Sequence, residues 1–144
     1  MDMRETAGVL AMIAALDPRR TFGEVDAQAW HAVIGDLRFG DCREAVIEHY
    51  RTSTYSITPA DVVEKVGLMR RSRIGDRVAP LPPVDPTDVN GYREWQQRWY
   101  KAVGDGLTED EAEVAADLSL GVARKAVSQA PRDINYDALG RRVQ

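Results

Sequence analysis

Thr58-Pro59-Ala60-Asp61-Val62-Val63-Glu64-Lys65-Val66-Gly67-Leu68-Met69 is the stretch that decides the fold class. Thr is an N-cap residue, and Pro suits the first helical position because its missing N–H would be unpaired there anyway. Asp at the third position complements the positive end of a helix. Val62, Val66 and Met69 then recur at i, i+4 and i+7, one stripe of a helix, with no strand-like alternation. The stretch predicts a helix near 59–76 that continues toward Arg77.

The same reading extends upstream. Val9, Ile13 and Leu16 repeat at i, i+4, i+7 and predict a helix near 5–17, ended by Pro18. Thr21-Phe22-Gly23-Glu24 has capping-box spacing and opens a helix near 24–37. That helix carries Trp30, Ile34 and Leu37 on its stripe, with Val25, Ala29 and Val33 beside them. Phe39 and Gly40 form a corner. A third helix near 40–52 places Cys42, Val46 and Tyr50 on one side, and Thr52-Ser53-Thr54-Tyr55-Ser56 is a polar, β-branched loop.

Downstream, Val78–Pro86 reads VAPLPPVDP. Its prolines exclude helix interior and central strand, so it is a stiff, extended spacer that holds the flanking parts apart. Tyr92, Trp95, Trp99 and Val103 then line one side of a helix near 88–103, stopped by Gly104 and Gly106. Thr108-Glu109-Asp110-Glu111 is a second capping box and opens a helix near 109–120 with Ala115 and Leu118 on its stripe. Val122–Ala130 supplies further helical turns, and Asn135 caps a last short helix through Leu139. The chain therefore reads as all-α: a four-helix N-terminal domain (1–77), a proline-rich connector (78–86) and a helical C-terminal arm (87–144).

Composition narrows the function. With 144 residues this is one domain, or one small domain plus an appendage. A formal net charge of -4 argues against a protein that coats nucleic acid or an anionic membrane with its whole surface, while leaving room for a local basic patch. The single cysteine, Cys42, excludes an internal disulfide and multi-cysteine zinc sites, and a reducing compartment is the simpler expectation. The longest apolar run, Gly8–Leu16, is too short to span a bilayer, which needs about 20 residues. It has a signal-peptide-like core, but Asp2, Arg4 and Glu5 precede it and Asp17-Pro18-Arg19-Arg20 follows. It reads as an amphipathic helix of a cytoplasmic protein.

Catalytic chemistry finds little footing. The lysines Lys65, Lys101 and Lys125 follow Glu64, Tyr100 and Arg124, so no P-loop and no route to ATP hydrolysis through one exists. His31 and His49 fall on different helices with no partner at i+4 and read as partly exposed helical residues. Asp105–Glu113 fails the EF-hand pattern, with Leu107 at position 3 and Asp110 at position 6. Cys42 lies on an apolar stripe. No enzyme, no cofactor and no metal is expected.

Two surface features stand out. Arg70, Arg71, Arg73 and Arg77 crowd the end of the fourth helix, offset only by Asp76. They form either a phosphate-contacting patch or a solvated, dipole-complementing helix end. Tyr92, Trp95 and Trp99, with Tyr100 alongside, are either core or an aromatic anchor for a partner or a second copy of the chain.

Glu5-Thr6, Leu10, Ile13, Trp30, Asp36-Leu37-Arg38-Phe39, Ala45-Val46, His49-Tyr50, Thr54 and Pro59-Ala60-Asp61-Val62 together are similar to the phage replicative-helicase loader-and-inhibitor family. The resemblance covers about Glu5 to Lys65. It departs at Ile57, where the family usually has proline, and in a C-terminal half that is longer than the family tail. The resemblance implies a small helical N-terminal domain that binds a DnaB-type hexameric helicase, holds it inactive and delivers it to an origin complex. It implies a phage-encoded protein in the host cytoplasm, with an origin-binding protein or DNA as further partner. Two other readings stay open: a phage DNA-binding regulator using the fourth helix, and an adaptor that inhibits a host protein.

Overall fold

The structure, a computed structural model, describes residues 1–121. Among them every regular element is helical: α1 Met3–Leu16, α2 Glu24–Ile34, α3 Phe39–Thr52, α4 Pro59–Ile74, α5 Val89–Gly104 and α6 Glu109–Ser119. The all-α expectation holds. The helical turns expected at 122–130 and 135–139 lie outside the described residues. No helix among those described is long and apolar enough to cross a membrane.

The helix starts show which local signals win. Thr58 caps α4 as expected, its hydroxyl accepting from the Asp61 N–H while the Asp61 carboxylate accepts from Thr58 N at 2.8 Å. Thr108 and Glu111 cap α6 in the same reciprocal way. α1 begins two residues earlier than expected, because Asp2 accepts from Glu5 N at 2.7 Å and Glu5 returns the bond to Asp2 N at 2.9 Å. α2 is not opened by Thr21. Its cap is Gly23, whose N–H donates to Asp26 at 2.8 Å, while Phe22 packs edge-on against Trp30 with ring centroids 5.8 Å apart. That ring contact holds Phe22 outside the helix.

Among the described residues the buried side chains fall into two clusters. The first draws on α1–α4 and the loop before α4: Val9, Leu10, Ile13, Trp30, Ile34, Leu37, Cys42, Ala45, Val46, Ile57, Val62 and Val66. Leu16, Val25 and Val33, expected on or beside the apolar stripes, are exposed, while Leu10, outside the expected stripe, is buried. The second cluster lies between α5 and α6, with Trp95, Trp99, Ala102, Val103, Ala112, Ala116 and Ala79. Here α6 turns Ala112, Ala116 and Asp117 inward, not Leu118, which is 76% exposed. Two indoles occupy the space, so only small residues fit opposite them.

The connector is not a spacer. Ala79 is buried in the second cluster and its N–H donates to the Tyr100 hydroxyl at 3.2 Å. The chain leaves α4 at Gly75, whose φ of 51° is a region side chains rarely adopt, and turns back along α5. Gly106, at φ 94°, makes the equally tight elbow between α5 and α6.

Candidate functional site

Both aromatic and basic candidates meet where α4, α5 and the α5–α6 elbow come together. Trp95 and Trp99 are fully buried. Trp95 Nε1 donates to Asp117 Oδ1 at 2.8 Å, and Trp99 stands edge-on to Tyr100 with centroids 5.0 Å apart. The Trp99 indole N–H is buried without a partner among the described residues. A partner, or a second copy, reaching for these rings would first have to part α5 from α6. The reading of the stripe as a binding surface is therefore corrected: the two rings are core. Tyr92 and Tyr100 are half-buried at its edges, and Tyr100 spends its hydroxyl on the connector.

The arginines are also largely engaged. Arg73 makes a fork on the Asp41 carboxylate of α3, Nη2 to Oδ1 at 2.7 Å and Nη1 to Oδ2 at 3.0 Å. Its Nη1 also donates to the Gly104 carbonyl at 3.0 Å. Arg70 pairs with Asp105 at 3.3 Å, and Arg77 with Glu109 at 3.2 Å. Arg71 is exposed and in no ion pair among the described residues. Asp41 is buried and Arg73 only partly exposed, so this fork is screened least. Arg77 and Glu109 both face solvent and hold each other weakly. A fully open phosphate-contacting patch is thus not what α4 presents; three of its four arginines already hold carboxylates. Asp41 holds the Arg73 guanidinium in its charged form by hydrogen bonding, against the opposing cost of burial.

A second polar centre, unforeseen in the sequence, locks the loop between α3 and α4. Asp17, buried just after α1, receives Arg19 Nε at 2.7 Å, Arg19 Nη2 at 3.0 Å and the Ser56 hydroxyl at 2.5 Å. Arg19 then reaches the Thr54 carbonyl at 2.9 Å, and His49 Nε2 lies 2.8 Å from the Tyr55 carbonyl. The Arg19 and Ser56 hydrogen bonds hold the Asp17 carboxyl far below the usual carboxylate range. The one available signal was Asp17 two residues before Arg19; nothing local links it to Ser56, 39 residues on.

The nucleophile and ligand candidates are quiet. Cys42 is buried, and burial, reinforced by Asp41, pushes its thiol up to about 11, away from the reactive thiolate. His49 is buried rather than partly exposed, while His31 Nδ1 lies 2.9 Å from the Thr6 hydroxyl. No group of three metal-ligating side chains converges among the described residues. Among the described residues, open apolar surfaces include a groove of about 460 Å³ between α1 and α2, walled by Met3, Ala7, Ala11, Ala14, Phe22 and Ala27, and a ridge of Val114 and Leu118 on α6. No family model, curated protein or solved structure matches this chain.

Proposed function

We propose that the chain is a non-enzymatic phage DNA-replication protein that binds a DnaB-type replicative helicase, holds it inactive and loads it. In this reading residues 1–77 are the helicase-binding domain, 78–86 the connector and 87–144 the C-terminal arm that begins with α5 and α6, acting in the host cytoplasm with an origin-binding protein or DNA as second partner. One observation carries it. Leu10, Ile13, Trp30, Leu37, Ala45, Val46 and Val62, which bear the resemblance to helicase loaders, all enter the same buried cluster of α1–α4. These seven residues share one packing unit, which is compatible with the reading. The buried Cys42 thiol and the engaged His31 and His49 favour a protein that works by binding. The helicase contact then falls to the outer faces of α1–α4, because the tryptophans of the arm are core.

The test is a titration of the full-length chain against a purified DnaB-type hexamer, read by light scattering and by helicase ATPase. A defined complex with suppressed ATP turnover, and no turnover by the chain alone, is the expected result. Absence of any complex at micromolar concentrations overturns the reading. An adaptor of some other host protein would give that negative result. A DNA regulator would instead bind duplex at low salt and lose it steeply as salt rises.

A further inference from the structure

We infer that the end of α4 is a phosphate-backbone binding surface for DNA, kept occupied by the acidic elbow of the chain's own α5–α6 arm. The elbow offers the groups that phosphates would replace. Asp105 lies on Arg70, Glu109 on Arg77, and the Gly104 carbonyl on Arg73. Arg38 reaches the same place: a Cβ on Gly106 would stand 3.3 Å from Arg38 Nη1 and 3.9 Å from Arg73 Nε. Four guanidiniums from two parts of the chain thus converge on one turn of backbone. Arginine's planar fork suits phosphate as well as carboxylate, so the surface is chemically indifferent to which of the two it holds.

The arm is built to leave as a body. Trp95 and Trp99 are buried among residues of α5 and α6, with Ala79 beside them, so undocking from α4 leaves most of that cluster intact. The apolar part of the contact with α4 includes Ile74, packed at the edge of the cluster. Beside this packing the contact is electrostatic, through Arg70–Asp105, Arg77–Glu109 and Arg73 on the Gly104 carbonyl. Exposed ion pairs such as Arg77–Glu109 contribute little each. Their strength here is that both partners belong to one chain, which gives the elbow a high effective concentration over its own arginines. A duplex must outcompete that tethered anion. With the arm displaced, Arg38, Arg70, Arg73 and Arg77 face solvent, and Arg71 adds a fifth positive charge on the same helix end. Arg73 keeps its fork on Asp41 and is positioned by it.

The experiment measures anisotropy of a labelled duplex of arbitrary sequence with the full-length chain at low and moderate salt. Three proteins are compared: wild type, the Asp105→Asn/Glu109→Gln double variant, and that double variant with Arg70→Ala and Arg77→Ala added. A fourth, Glu48→Gln/Glu64→Gln, removes the same negative charge from exposed positions away from the elbow. The double variant should bind duplex at least about tenfold more tightly than wild type, with affinity falling steeply as salt rises. The added arginine changes should cancel the gain, and the Glu48/Glu64 control should show none of comparable size. Should the double variant fail to fold by circular dichroism, Glu109→Gln alone, altering one exposed carboxylate, should give a smaller gain of the same kind. No gain in a folded elbow variant, a gain that survives loss of the arginines, or an equal gain in the control overturns the inference.

Discussion

Around Ile13, Val46 and Val62, α1, α3 and α4 each contribute two or three small or aliphatic side chains, and α2 adds Ile34 and the indole of Trp30. Around Trp95 and Trp99, two rings fill most of the space and are met chiefly by alanines. The first arrangement spreads its burial over many small contributors and holds its loop with a buried carboxylate. The second concentrates burial in two residues of one helix and ties itself to its neighbour by ion pairs. Distributed packing tolerates the loss of one methyl group and demands sequence patterning along every helix. Concentrated packing gives each indole a large share of the burial, so emptying either site is costly.

The sharpest way to break this comparison is truncation on each side. Trp95→Ala and Trp99→Ala each remove a fully buried indole and should cost about 3–5 kcal/mol, while Ile13→Val should cost only about 0.5–1.5 kcal/mol. Denaturant unfolding followed by circular dichroism measures both. Equal losses would mean the two clusters are built alike.

The second test uses acid. Asp17 is held by Arg19 and Ser56 well below its unfolded value, so its contribution is present above about pH 4 and lost as pH falls further. Asp17→Asn should therefore melt below wild type by a constant margin from neutral pH down to about 5, and the margin should narrow below about 4. A margin that stays fixed to the lowest pH would show that the carboxylate's charge is not what anchors Ser56. The effect should be confined to α1–α4, with the near-ultraviolet signal of Trp95 and Trp99 unchanged.

The third concerns the tie between the two. Arg73→Ala removes the fork on Asp41 and the bond to the Gly104 carbonyl, leaving a buried carboxylate short of its donors. A loss of about 1–3 kcal/mol is expected, with the aromatic signal and the far-ultraviolet signal melting apart. Arg71→Ala, at an exposed position with no ion pair among the described residues, should stay within about 0.5 kcal/mol. Coincident melting in Arg73→Ala would mean that the arm is bound mainly through Ile74, Ala79 and Tyr100.

How much of this was legible follows from range. Thr58-Pro59-Ala60-Asp61 and Thr108 through Glu111 are decided within four residues, so caps, helix starts and the all-α class could be read directly. Val62, Val66 and Trp30 lie on stripes that periodicity exposes. Leu16 and Leu118 could not be placed, because which side of a helix is covered depends on the neighbouring helix and not on its own period. The basic and aromatic candidates were visible as residues, but their engagement was not. Asp41 lies 32 residues from Arg73, and Asp117 lies 22 from Trp95, separations over which no local signal acts. The connector misled for the same reason. Its prolines set a stiff backbone, yet where that backbone leads is decided by Ala79 meeting Tyr100.

The smallest expected effect tests the second cluster from inside. Trp95→Phe and Trp99→Phe delete the same ring and the same N–H, at two buried sites one helical turn apart. At Trp95 the N–H serves Asp117, so its loss takes a donor from a buried carboxylate. At Trp99 the N–H has no partner among the described residues, and a buried donor left unmade costs roughly 1–3 kcal/mol. Phenylalanine removes that cost while leaving a small void, and the two contributions oppose each other. Trp99→Phe should therefore change stability by no more than about 1 kcal/mol, whereas Trp95→Phe should cost about 1–3 kcal/mol more than that. Denaturant midpoints of the two variants, measured side by side, decide it. If Trp99→Phe proves the costlier of the two, its N–H is satisfied in solution, and the concentration of burial in this cluster comes with no polar penalty at either ring.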